Sequence, residues 1–130
     1  YILPLYTDDN LNKNKIKYIK IINNLTDTFI ESDGIIFCAP EYNGSIPPIL
    51  TNAIAWISTC TNNWRDAFSN KFAFICTSSG GPGNKLLFTL RVQLEHLGMI
   101  VYPRTLSVSS KTPLNIDTVK KILKHYINLL

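Results

Sequence analysis

The sequence lacks any run of the roughly 18 or more unbroken apolar residues that a membrane-spanning helix needs, so no membrane is expected as a partner. Residues 2–5 are a short apolar run with no basic flank ahead of it, which is not the form of a secretory leader. Histidine is sparse: His96 and His125 stand alone, each inside a helix-like stretch, and no metal site is expected. The three cysteines, Cys38, Cys60 and Cys76, are far apart and have no CxxC spacing. An odd number of that kind does not make a disulfide framework. They are expected as three buried free thiols in a reducing cytosol, which points to a cytoplasmic protein. Internal repeats and low-complexity tracts are missing as well.

Charge of one sign is also in short supply, the net charge being +4. Lys13, Lys17 and Lys20 share one helix face, and Lys120, Lys121 and Lys124 cluster on another. Solvated faces explain both groups. No aromatic or Arg-rich readout motif accompanies them, so nucleic acid is not an expected partner. What remains is a chain of 130 residues, 45% hydrophobic and 17% charged, the composition of one globular domain over residues 1–130 with one core. The chain opens on Tyr1 rather than Met and is expected to be processed or to be part of something longer.

Residues 14–32 carry a helical stripe, Tyr18, Ile22, Leu25 and Phe29, at offsets of 4, 3 and 4. Gly34 is placed to cap that helix. Residues 35–39 form a continuous apolar run, expected as a strand covered on both faces, as in a parallel sheet. After a loop, Pro47 and Pro48 suit a helix start. That helix, residues 47–58, has two apolar stripes, Ile49, Ala53 and Trp56 beside Leu50, Ile54 and Ile57. The second stripe is expected to face a partner chain, giving a homodimer or a tetramer of dimers. A polar connection over residues 59–70 leads to a second buried strand at 71–77. A small-residue loop over 78–84 follows, then a helix with Leu87, Leu90, Leu94 and Leu97 on one side, capped by Gly98. Residues 99–102 form a short strand, with 105–108 continuing the same edge. Asn115 caps the last helix, whose stripe is Ile116, Val119, Leu123, Tyr126 and Leu130. Such alternation of helices and strands predicts an α/β domain with a parallel sheet.

Ligands of open α/β sheets bind at the carboxyl ends of strands. Two loops leave such ends: residues 40–45 and residues 78–84. The second holds Gly80, Gly81 and Gly83, yet it is not a dinucleotide motif, because GxGxxG would need glycine where Leu86 stands. Nor is it a Walker loop, since no Ser or Thr follows Lys85. By itself a simple turn explains it about as well.

The first loop is more specific. Pro40-Glu41-Tyr42-Asn43-Gly44-Ser45-Ile46-Pro47, with Leu50, Asn52-Ala53-Ile54 and Trp56, resembles the signature of the NADPH-dependent FMN reductase family. Leu3-Pro4-Leu5-Tyr6, Phe68-Ser69-Asn70-Lys71 and the stretch from Leu90-Arg91 through Leu94 to Leu97-Gly98 are similar to further segments of that family. The resemblance implies a flavodoxin-like, doubly wound parallel sheet. It implies an oxidoreductase that uses FMN, takes hydride from NADPH or NADH, and passes it to a small-molecule electron acceptor such as a quinone, azo compound, metal oxyanion or free flavin. Residues 40–45 would line the flavin ring, with Tyr42 packed beside it and the Asn43 amide bonded to its edge. The hydroxyls of Ser78 and Ser79 and the amides of Gly80 and Gly81 would meet its pyrimidine end. Ordinary loop packing for Tyr42, and a cap on the following helix or a cation pair for Glu41, are the plainer readings of those side chains. No acid–base set is required, because the cofactor carries the chemistry.

The chain departs from the family at its start. The first strand, the first helix and the phosphate-binding loop of the family, with most of its second strand, are expected to lie outside this sequence, ahead of Tyr1. The strand at 35–39 is therefore expected to have an unpaired apolar edge, and the 130-residue chain alone to bind FMN poorly and to aggregate. A flavodoxin-type electron carrier and a non-catalytic α/β fragment are the alternatives. The +4 charge and the Glu41-Tyr42-Asn43 run favour the enzyme, since such carriers are usually acidic.

Overall fold

Helices and strands alternate along the chain as the apolar patterning predicts, and a computed structural model, which describes residues 3–13 and 15–130, shows where they go. Tyr1 and Ile2 of the opening run lie outside the described residues, as does the side chain of Lys13. The elements are α1 (Asp8–Lys13), α2 (Lys15–Glu31), β1 (Gly34–Cys38), α3 (Pro48–Ser58), β2 (Phe72–Ser78), α4 (Asn84–His96), β3 (Ile100–Val101), β4 (Leu106–Val108) and α5 (Ile116–Ile127). The short α1 has no counterpart in the helical stripe at 14–32. It is started by Thr7, whose hydroxyl oxygen accepts from the Asn10 N–H at 3.1 Å, with Asp8 and Asp9 in its first turn. Among the described residues no helix is long and apolar enough to cross a membrane.

All the strand pairs are parallel. β1 runs beside β2 from the pair Gly34–Phe72 to the pair Cys38–Cys76. β3 pairs with the start of β2 and β4 with its end, so together they form one interrupted strand along its other edge. Helices cover both faces of β2, as a doubly wound sheet requires. On one face Ala73 and Ile75 meet Ile54 and Ile57 of α3 and Leu86, Leu90 and Leu94 of α4. On the other, Phe74 and Cys76 meet Ile122 and Tyr126 of α5. The predicted α4 stripe is buried from Leu87 to Leu97, and Gly98, at φ 89°, ends the helix as expected. Asn115 caps α5 by accepting from the Thr118 N–H at 2.9 Å.

Several expectations need correction. β1 is not covered on both faces. Ile36 is 50% exposed and Cys38 is exposed, because Tyr126 and Leu130 cover that face of β1 only at its start, over Gly34. The three cysteines are free, but only Cys76 is buried. Gly34 starts β1 and does not cap α2. Its lack of a side chain makes room for α5, since a Cβ there would lie 2.5 Å from both Tyr126 Oη and Leu130 Cδ2. The buried side of α5 is Ile122 and Tyr126, while Ile116 and Leu130 are largely exposed. Of the two stripes of α3, the one that holds Trp56 does not wait for a partner chain at that residue, which is fully buried. The Trp56 Nε1–H donates to Pro4 O at 2.8 Å, and the Tyr6 ring meets the indole edge-on at 5.2 Å. Asn52 fixes the same segment by donating to Pro4 O at 3.0 Å and accepting from the Tyr6 N–H at 2.7 Å. Ile49, 72% exposed, is what that side of α3 leaves open. Inside the polar connection, Ala67 and Phe68 are fully buried, which anchors it to the core.

The C-terminal helix is tied to the sheet by one hydroxyl. Tyr126 Oη lies 3.2 Å from Ile35 O and 3.0 Å from Phe72 O, so its single proton is shared between the two strands. Tyr126→Phe should lower unfolding free energy by about 1 kcal/mol, read from the urea midpoint at unchanged slope. Gly34→Ala should cost about 1–3 kcal/mol, because the new methyl displaces that tyrosine. A Gly34→Ala protein as stable as the native one would refute the close approach.

Candidate functional site

β1 and β2 are parallel neighbours, so both carboxyl ends emerge at one end of the sheet. The Ala39 N–H donates to Cys76 O at 3.2 Å and carries the ladder one residue further. Loops 40–45 and 78–84 therefore leave side by side, as the sequence predicts.

Loop 40–45 is shaped from within. The Tyr42 N–H donates to Ser45 O at 3.1 Å, and the Ser45 N–H donates to Tyr42 O at 2.9 Å. Between them Asn43 and Gly44 have φ of 51° and 70°, the pair of positive values that a type I′ turn requires. Asn-Gly is the sequence signal for this turn, and it accounts for both residues in backbone terms. The turn leaves Tyr42 56% exposed, with Asn43 and Ser45 also exposed. Glu41 is half-buried, and it does not cap the following helix α3, whose N-cap is Pro47. Its Oε2 accepts from the Leu86 N–H in the first turn of α4 at 3.0 Å, which sequence proximity could not reveal.

Loop 78–84 is held from outside. The Ser79 N–H donates to Val108 O at 3.1 Å, and the Ser107 hydroxyl donates to Pro82 O at 2.6 Å, both from β4. The Ser79 hydroxyl oxygen accepts from the Glu41 N–H at 2.6 Å and lies 3.2 Å from Thr77 Oγ1, so it is engaged between the loops. Ser78 is exposed. Gly80 and Gly81 are exposed, and neither has a positive φ. A Cβ built on either would meet nothing within 4 Å. The protein's own packing and backbone thus give no reason for glycine at these two positions.

An apolar trough of about 760 Å³ runs beside β1, walled by Phe29, Ile36, Cys38, Tyr42, Ile49 and Ala53 among others. It reaches Pro40 and Tyr42 of the predicted site residues and none of Ser78, Ser79, Gly80 and Gly81. Among the described residues β1 pairs with β2 only, so its outer edge is unpaired, as expected. Trough and loop pair are distinct features that meet at Tyr42.

Cys76 lies two residues before Ser78, in the core under α5. Its thiol donates to Phe37 O at 3.5 Å, and its strand neighbour is Cys38. Burial first, then the hydrogen bond and the charge of Cys38, push the Cys76 thiol up to about 12 from its ordinary 9.0.

Comparison with known proteins adds to this geometry. The family model described as NADPH-dependent FMN reductase matches residues 1–113. A curated relative, an NADPH:quinone oxidoreductase of Arabidopsis thaliana, is 34% identical over 74 residues, which cover 57% of this chain and 36% of the relative. The chain thus spans about a third of the length of the curated relative it matches. Among solved structures, FerB, a flavoenzyme NAD(P)H:(acceptor) oxidoreductase from Paracoccus denitrificans, superposes with a TM-score of 0.72 at 23% identity, over 98% of this chain and 72% of that one. The apo form of an NADH:FMN oxidoreductase, EMOB, gives a TM-score of 0.69 at 17% identity, over 96% of this chain and 67% of that one. These two likenesses show a shared fold.

The two strand cysteines should differ in solution. Exposed Cys38 should react with iodoacetamide about tenfold or more faster than Cys76 in the native protein, by peptide mass spectrometry. Above pH 9 the unfolded chain ionises Cys76 while the folded chain does not. The folded state then binds more protons, so stability falls as pH rises from about 9 toward 12, by up to about 1 kcal/mol per pH unit from this group. Urea midpoints at about pH 8 and about pH 10.5 should differ less in Cys76→Ala than in the native protein. An equal difference would remove Cys76 as the cause.

Proposed function

The chain belongs to the NADPH-dependent FMN reductase family, and from that premise we propose that the protein carrying it is an FMN-dependent NAD(P)H oxidoreductase. FMN bound at the loop pair would supply two-electron hydride chemistry between NADPH or NADH and a small acceptor of the quinone, azo, metal-oxyanion or free-flavin class. The observation that carries this reading is the pair Gly80 and Gly81, with open space where their side chains would be and no conformational need for glycine. A flat ligand lying against those peptides supplies the missing reason.

The roles follow from position. Residues 40–45 line one side of the ring, with exposed Tyr42 beside it and the exposed Asn43 amide free to bond its edge. The amides of Gly80 and Gly81 and the hydroxyl of Ser78 serve the polar end of the ring. Ser79 serves it at one remove, because its oxygen accepts from the Glu41 N–H. The nicotinamide and the acceptor use the same open face in turn. The protein works in the cytoplasm as a homodimer or tetramer; Ile49 and Phe88, 72% and 70% exposed on α3 and α4, are apolar surface for such an assembly.

FMN titration of the full-length protein by fluorescence quenching, followed by NADPH oxidation with a quinone, tests the proposal. Gly80→Val should leave stability within about 0.5 kcal/mol of native, since the side chain meets open space. It should weaken FMN binding by about tenfold or more, which is about 1.4 kcal/mol. Asn43→Ala should weaken it less, by about 0.5–1.5 kcal/mol. Native FMN affinity in Gly80→Val would reject the assignment of this loop to the ring.

A further inference from the structure

Helix α4 begins without any capping group of its own. Gly83 occupies its N-cap and has no side chain, and its first turn contains no acidic residue. Backbone N–H groups in a first helical turn have no partner within the helix and need an acceptor. Here the acceptor comes from 45 residues away, in the Glu41 carboxylate on Leu86 N–H. The backbone of the same residue donates to Ser79, at the start of the loop that α4 ends. Glu41 therefore grips loop 78–84 at both ends. A return contact runs the other way. Lys85, in the first turn of α4, lays its stem against Gly44, where a Cβ would come within 3.1 Å of Lys85 Cδ and 3.6 Å of Nζ.

We propose that Glu41 is a positioning residue, which holds the two ring loops at a fixed separation by capping α4 from the opposite loop. This rests on the flavin reading above and changes the role of one residue within it: the Glu41 carboxylate serves the helix, and the ring is met by its neighbours. The chemistry suits the task. A carboxylate at a helix N-terminus is favoured by the helix dipole. Its bond to a backbone N–H is charge-assisted and stronger than a neutral one. With its main chain bonded to the far loop and its carboxylate to the helix that follows it, Glu41 has little freedom left. Pro40 and Tyr42 on either side of it inherit that order.

The test compares Glu41→Ala and Glu41→Gln with the native protein by three measurements: hydrogen exchange at the Leu86 amide, FMN dissociation constant, and thermal midpoint. Glu41→Ala should speed Leu86 exchange about tenfold or more. It should also raise the FMN dissociation constant about tenfold, measured well below the thermal midpoint. Glu41→Gln keeps a carbonyl oxygen at the same reach and should bring the constant back to within about threefold of native. Unchanged Leu86 exchange in Glu41→Ala would show that the cap is not there. A lowered thermal midpoint with native FMN affinity would reduce Glu41 to a structural role and overturn the proposal. So would equal loss of affinity in the Ala and Gln variants with Leu86 still protected in Glu41→Gln, which would place the charge itself against the ligand. Full-length native protein that fails to bind FMN would overturn both the functional reading and this role, while Leu86 exchange, which needs no flavin, would still report whether the cap exists.

Discussion

The parallel ladder between β1 and β2 is the constraint on which the rest depends. Because the strands run the same way, their carboxyl ends must open at one end of the sheet. The ladder runs one rung past the strands, through Ala39 to Cys76, and beyond it the Ser79 side chain takes over by accepting from the Glu41 N–H. Register is strongly specified in β2, whose residues 73–77 are all buried between two layers of helices. A slip of one residue would turn Phe74 and Cys76 from α5 toward α3 and α4. The position of one loop relative to the other is therefore as well defined as the sheet itself.

The two loops are ordered by different means. The hairpin-like turn at 42–45 carries its own hydrogen bonds and needs little from its surroundings. The glycine loop has no such internal order and borrows it from β4, through Val108 and Ser107, and from Glu41. The break between β3 and β4 is thus useful. It lets one strand edge serve the start of β2 and, farther along, steady the loop at its end. A rigid turn beside a loop with bare peptides suits recognition of a flat ring, where one side fixes the plane and the other approaches it closely.

Much of this was legible in the residues because the signals were local. Continuous apolar strands, the leucine stripe of α4, Gly98 and Asn115 each report on neighbours a few positions away, and each is found in its predicted place. The loops at 40–45 and 78–84 were located by the same strand-and-helix punctuation, and they do lie together. The misses are of another kind. Gly34 looked like a helix cap, but its reason is Tyr126, 92 positions later. Trp56 looked like an interface residue, but its partners are Pro4 and Tyr6. Ile36 and Cys38 looked buried because apolar composition does not record which face a distant helix fails to reach. Glu41 offered two local readings, and the structure takes neither, since its acceptor role lies on a helix 45 residues away.

The Tyr126 hydroxyl joins residues 91 and 54 positions apart, at Ile35 and Phe72. A contact of that span cannot form until the two strands are already in register, because closing so long a loop costs entropy that only prior order offsets. If α5 docks only after the strands have paired, its interactions are missing from the transition state, and weakening them would hasten unfolding and leave the rate of folding almost unchanged. The lifetime of the site, as distinct from its shape, would then be governed from the far end of the chain.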